Sequence, residues 1–198
     1  ELDKNKLKKK LEELSFDNDL LSKDLERNLE LLKKLDFEES LIKTISSLEK
    51  QLEKQLNLKE KTKIRSSKGD SLSLEQKNIS RLFEEEKKKI SALFEKNKSL
   101  SSPNNLPKKD SLVDRVSNEM NNSKKSLEDG KKKKSLEHQK GATEGLSKMI
   151  KSLKDAQSEM QLLQSMENIE DIRALLENVL VFSFEQESLV VDFQEISL

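Results

Sequence analysis

Leucine returns from Leu7 onward at alternating steps of four and three residues: Leu7, Leu11, Leu14, Leu21, Leu25, Leu32 and Leu35, with Asn18 and Asn28 filling the two gaps. A repeat averaging 3.5 residues is the a/d seam of a coiled coil. It is too narrow to enclose a core by itself and is covered by another helix through knobs-into-holes packing. Polar residues within such a seam lower stability and fix register or orientation. No glycine precedes Gly69 and no proline precedes Pro103, so nothing interrupts a helix over residues 1 to 65. At ~1.5 Å per residue such a helix is about 95 Å long. After Phe37 the apolar residues predict a shifted seam at Ile42, Ile45, Leu48, Leu52 and Leu56. A phase change of that kind relaxes a supercoil locally. A helix this long, with half its seam open, needs a partner: a later segment, another chain, or flanking sequence.

Composition agrees with narrow seams rather than a thick core. Apolar residues make up 32% of the chain against 38% charged, and the seven Phe are its only aromatics. These features predict an all-α fold of elongated coiled-coil helices with a small C-terminal helical bundle. The absence of Cys excludes disulfides and thiolate metal sites. No stretch approaches the ~20 apolar residues that span a bilayer. The chain starts at Glu1 without a signal-peptide pattern and is expected to be a piece of a larger protein. Net charge is zero but uneven: 13 basic and 15 acidic residues over 1–60, 21 and 12 over 61–140, 4 and 11 over 141–198. A basic middle and an acidic tail can attract each other.

Breakers and caps predict three regions. Residues 1–98 form a long coiled-coil region with a break near 66–72, where Ser66, Ser67, Gly69, Asp70 and Ser71 cluster. Ser73 with Gln76 reads as a capping box opening a second helix. Ile79, Leu82, Phe83, Ile90, Leu93 and Phe94 recur along it, and Glu84–Lys88 and Glu85–Lys89 read as ion pairs four residues apart. Residues 99–111, holding Pro103 and Pro107, are the linker. Residues 112–198 form a C-terminal helical bundle. It begins with a cap at Asp110 or Ser111 and carries Leu112, Val113, Val116, Met120 and Leu127, then a stop or kink at Gly130. Leu146, Met149, Ile150, Leu153, Ala156, Met160 and Leu163 follow, and Asn168 with Asp171 suggests a final cap. Val179–Phe182 has strand propensity, yet Glu185-Gln186-Glu187 continues a helix and no second strand is visible.

No constellation points to catalysis, and catalytic, cofactor and metal residues are all expected to be absent. His138 is the only histidine and is expected on an exposed helix face. The carboxylates alternate with lysines instead of lining a pocket that could separate their pKa values. Gly141 and Gly145 form G-x-x-x-G beside charged residues, which reads as a helix face thinned for close packing or as a weak point in the helix. Lys8–Lys10, Lys87–Lys89 and Lys131–Lys134 lack interleaved aromatics, so a solvated face is expected and nucleic acid is not. Phe182, Phe184, Leu189, Val190 and Phe193 form the candidate interaction face. At ~100° per residue Phe182 and Phe184 point about 160° apart, so this helix is buried on two sides or leaves an apolar face open. It is expected to dock among the helices of 112–165 and offer its other side to a protein partner.

One stretch adds a resemblance. Arg173, Leu175, Leu176, Glu177, Asn178 and Leu180, then Ser183, Phe184, Gln186, Glu187 and Leu189, resemble the R-x-L-L-E-N-L…S-F-x-Q-E-x-L stretch of an uncharacterised family. That family comprises large, membrane-anchored, coiled-coil-rich bacterial envelope proteins. The likeness covers roughly residues 120–190 and is tightest over 171–189; Gly141 and Gly145 depart from its Ala-rich continuation. It implies a scaffold role in the bacterial cell envelope, on the periplasmic side of the inner membrane, with the anchor elsewhere in the parent. It carries over no catalytic residue. Together these readings predict a non-catalytic structural or protein-interaction module with protein partners and no small-molecule ligand. The competing readings are a nucleic-acid- or lipid-surface-binding helical protein using its lysine runs, and a regulatory arm of an enzyme.

Overall fold

A computed structural model describes the chain over residues 4–64, 69–106 and 109–196, and its side chains over 21–64, 69–106, 112–184 and 186–187. Four helices follow one another: α1 (Lys4–Lys63), α2 (Gly69–Lys98), α3 (Lys109–Glu128) and α4 (Lys132–Ile196). The fold is all-α, with no strand among the described residues. Val179–Phe182 lies within α4. The chain divides into two compact units, Glu1–Ala156 and Gln157–Leu198.

The first unit is an antiparallel four-helix bundle. Lys61 meets Glu75 at 2.7 Å while Asp36 meets Lys96 at 2.7 Å, so α1 and α2 run in opposite directions. Lys87–Asp114 and Gln76–Ser123 pair α2 with α3 in the same sense. Ser123–Ser135 and Glu119–His138 pair α3 with α4. Thr62–Gln139 and Glu49–Lys154 close the ring between α1 and α4. This is the up-down-up-down arrangement that short connections favour. The bundle takes helices from both sides of the 99–106 segment.

Each helix faces the interior through a 3.5-residue seam. Along α2 the buried positions are Leu72, Gln76, Ile79, Phe83, Glu86, Ile90, Leu93 and Asn97, at unbroken steps of four and three. Val113, Val116, Met120, Ser123 and Leu127 do the same on α3, and Ser135, Gln139, Ala142, Leu146, Met149, Leu153 and Ala156 on α4. The α1 seam differs from the apolar reading. Ile45 and Leu48 are buried as expected, but Leu52 is half-buried and Ile42 and Leu56 are exposed; the seam runs through Phe37, Leu41, Thr44, Leu48, Gln51, Gln55, Leu58 and Thr62. The periodicity is intact, but four of its eight positions are polar, so counting only apolar residues drifts off the buried face. On α2, Leu82 and Phe94 are half-buried flanks of the seam.

The ends also differ from the expected caps. α2 begins at Gly69, which puts Ser73 and Gln76 inside it; α3 begins at Lys109, ahead of Asp110 and Ser111. Gly130 does stop α3. Its φ is +72°, and Lys131 N–H donates to Ser126 O at 2.7 Å while Gly130 N–H donates to Leu127 O at 3.0 Å. That pair of bonds is a Schellman motif, whose left-handed place suits glycine. The 99–106 segment is tied down at both ends. Asn97 and Asn104 exchange side-chain and backbone bonds at 2.8 Å, and Ser101 N–H donates to Glu30 at 2.7 Å.

Close approach of α3 and α4 depends on Gly145, which faces the stiff Val116 side chain, whereas Gly141 faces the flexible end of Glu119, which can shift. A Cβ on Gly145 would stand 2.5 Å from Val116 Cγ2, and one on Gly141 would stand 2.8 Å from Glu119 Cδ. Here G-x-x-x-G thins a helix face inside the bundle. Surface ion pairs contribute little by comparison, at ~0–1 kcal/mol each, against about 1.5–3 kcal/mol for a buried Leu or Phe. They also pair otherwise than expected: Lys87 with Glu84 and Asp114, Lys89 with Glu86, Arg81 with Glu85.

Candidate functional site: a buried glutamine layer and uncovered helix faces

The bundle interior contains a polar layer to which all four helices contribute. Gln55 of α1 and Gln76 of α2 exchange amide bonds: Gln55 Nε2 donates to Gln76 Oε1 at 3.0 Å, and Gln76 Nε2 donates to Gln55 Oε1 at 2.8 Å. Ser123 of α3 donates to the same Gln76 oxygen at 2.8 Å. Ser123 spends its single proton there, so Ser135 of α4 is the donor in the 2.9 Å contact between the two hydroxyls. Gln139 Nε2 donates to Thr62 Oγ1 at 3.1 Å and reaches Gln76 Oε1 at 3.4 Å. Gln55, Gln76, Ser123, Ser135 and Gln139 are fully buried.

Burying this many amides and hydroxyls is tolerable only because nearly all are bonded. Gln76 Oε1 is the hub, with three donors from three other helices. Its bonds require Gln55, Ser123 and Gln139 at one height, and so define how the helices register along the bundle. None of these groups titrates near neutral pH, and neither serine touches a base. The layer is therefore suited to specifying a fold. It escaped the sequence reading because Gln76 was assigned to a cap, and Gln55 and Gln139 were not placed on a seam. Extending the four-and-three count through polar residues would have found all three.

His138 is half-buried, and its Nδ1 lies 2.8 Å from Glu119 Oε2. It is not the freely exposed residue expected from its polar neighbours; α3 packs against it. Among the described residues no group of three or more His, Asp or Glu is placed to hold a metal ion. No described helix is long and apolar enough to cross a membrane. Of the lysine runs, Lys87 and Lys89 are taken up in ion pairs, and Lys131 pairs with Asp129. The side chains of Lys8–Lys10 lie outside the described residues.

Two carboxylates are held below their usual range. The Ser101 backbone N–H does this for Glu30, and a hydrogen bond from Lys131 does it for Asp129. Both are surface groups that tie down chain turns.

The described residues of the second unit lie within α4, and Asn168 and Asp171 stand mid-helix, where the expected cap is absent. Every described side chain from Gln161 to Phe184 is exposed. Phe182 is 60% and Phe184 66% exposed, so neither side of the candidate face is buried. At ~100° per residue these two rings mark the edges of a mainly apolar arc about 200° wide, with Ile172, Leu175, Leu176, Val179 and Leu180 between them and Ser165, Asn168, Arg173 and Ser183 interrupting it. The remaining side carries Glu159, Glu167, Glu170, Asp171 and Glu177, with Leu163, Ala174 and Val181 as apolar exceptions. Residues 157–187 hold seven acidic residues and one basic one, Arg173. The side chains of Leu189, Val190 and Phe193, the rest of the candidate face, lie outside the described residues.

No protein-family model matches the chain, and no curated protein or solved structure matches it.

Proposed function

We propose that the chain is a non-catalytic scaffold module. Its first unit is a register-locked bundle, and the second half of α4 offers an apolar face to another protein. The observation that carries this reading is the uncovered arc from Leu162 to Phe184. A helix facing one core needs an apolar stripe of ~100° or a little more. An arc twice that width suits insertion between at least two helices of a partner. Large exposed apolar patches are characteristic of contact sites. The acidic stripe favours a protein partner over an anionic lipid surface, which selects lysine and arginine. The resemblance at 171–189 supports placing the parent protein in a bacterial cell envelope, on the periplasmic side of the inner membrane.

A photo-crosslinking residue tests this in the parent protein, expressed in bacterial cells. It is placed at Leu176, near the middle of the arc, or at Glu167, about 180° away on the acidic side. The expected result is a discrete protein adduct from position 176 and none from 167. Equal labelling from both positions, adducts with lipid or nucleic acid, or none at all would contradict the proposal.

A further inference from the structure

The N-terminal half of α1 carries a second uncovered seam, distinct from the α4 arc. Leu21, Leu25, Leu32 and Leu35 are 57%, 60%, 64% and 59% exposed, although they hold the a and d places of a 3.5-residue repeat. In that repeat Leu25 and Leu32 are a positions, and Leu21, Asn28 and Leu35 are d positions. Phe37, fully buried in the bundle, and Glu30, bonded to the 99–106 segment, both fall at f, diametrically opposite the seam. The seam therefore lies on the back of α1 with respect to its own bundle. The bundle occupies the front, so an occupant of the back must come from outside it.

We infer that this occupant is a second copy of the chain, paired in a parallel, in-register two-stranded coiled coil through α1. Three observations select it. The seam is a single a/d stripe, which one helix covers. The repeat continues upstream in sequence through Leu7, Leu11, Leu14 and Asn18, with Asn18 at a and Asn28 at d. A partner with the same sequence sets Asn opposite Asn at both places, either in parallel at the same height or antiparallel with Asn18 facing Asn28; shifted registers leave amides against leucine, at the cost of a buried unsatisfied group. The antiparallel pair brings g against g and sets Asp24 beside the Asp24 of the second copy, a like-charge contact that the parallel pair avoids. Flanking charges also permit this register: in a parallel pair, g contacts the following e of the partner, which sets Asp17 by Ser22, Asp24 by Leu29 and Leu31 by Asp36. No like charges meet. The next a position is Glu39, which ends the pairing where the two bundles must diverge.

The test is sedimentation equilibrium on the whole chain, with single substitutions on the seam. At about 50 µM protomer, where mass action reveals a moderate dimer, the wild type should run at twice the 22.8 kDa chain mass. Leu25→Asp and Leu32→Asp should each run as a monomer with unchanged helical circular dichroism, since both sites lie outside the bundle interior. The chain has no native cysteine. Leu21→Cys and Leu35→Cys, made separately, should therefore each form a self-disulfide under mild oxidation. An antiparallel pair can bring equal positions together at one level only, so failure of either cross-link overturns the parallel register. A monomeric wild type overturns the dimer. A dimer that survives Leu25→Asp and Leu32→Asp shows that another face, such as the α4 arc, mediates association.

Discussion

The interior of the bundle and the second half of α4 reverse the usual assignment of residue types. Around Gln55, Gln76 and Gln139 the chain buries amides and hydroxyls completely, whereas Leu162 through Phe184 expose a broad, mainly apolar arc. The difference lies in neighbours. Gln76 sits where three other helices supply donors and acceptors, so its burial leaves little unsatisfied. Phe182 and Phe184 belong to a unit that consists of one helix, which cannot bury its own face. Apolar content shows which faces need covering, and the topology decides which of them the chain covers itself.

Core truncation should open the widest gap between the two regions. Phe83 is fully buried on the α2 seam, so Phe83→Ala should destabilise the bundle by about 3–5 kcal/mol. Leu176→Ala, on the exposed arc, should stay within ~0.5 kcal/mol, as surface substitutions do. Denaturant titration of both variants decides the point, and equal losses would mean that the arc is core.

The next effect isolates the polar layer. Gln76→Leu removes the hub and strands both ends of the Gln55 amide, while Ser123 keeps Ser135 and Gln139 keeps Thr62, at ~1–3 kcal/mol for each buried group left unpaired. A loss of at least about 2 kcal/mol is expected on that basis. Adding Gln55→Leu should cost less than the sum of the single changes, because one reciprocal pair then disappears from both sides. A neutral or stabilising Gln76→Leu would show that the layer fills space without specifying register.

The smallest effect lies at the end of the bundle. The Ser101 N–H holds the Glu30 carboxyl below its ordinary range. A depressed carboxylate contributes stability that is present above its unfolded pKa and is lost as pH falls through the lower, folded value. The protection of the Ser101 amide, its exchange rate taken against that of an unfolded chain at the same pH, should therefore fall on acidification through that window. In Glu30→Gln the protection should be low throughout, with no such acid step. An acid step that survives the substitution would assign the effect to another group.

Much of this was legible in the sequence. The first three helices, the start of the fourth after Gly130 and the seam on α2 through Ile79, Phe83, Ile90 and Leu93 follow from period and breakers; the separate fifth helix expected from Asn168 does not, since α4 runs through it. The G-x-x-x-G face was legible as a close contact, though not as one with Val116 and Glu119. The α1 seam beyond Phe37 was legible only at Ile45 and Leu48, because Thr44, Gln51, Gln55 and Thr62 are buried by partners that only the fold assembles. His138 was misplaced for the same reason: its polar neighbours in sequence do not show that Glu119 approaches from α3. The candidate face was legible as apolar and two-sided. Its exposure was not, since the same pattern fits a helix buried on both sides.

Native-state hydrogen exchange on the isolated chain tests the contrast between the two regions most directly. Amides inside the bundle, in 41–62, 72–97, 113–127 and 135–156, should open only with global unfolding. Those of 161–184 should exchange orders of magnitude faster, as expected for a single helix with no packed face. Protection of 161–184 equal to that of the bundle would contradict the account, because the apolar arc would then already be covered within the chain.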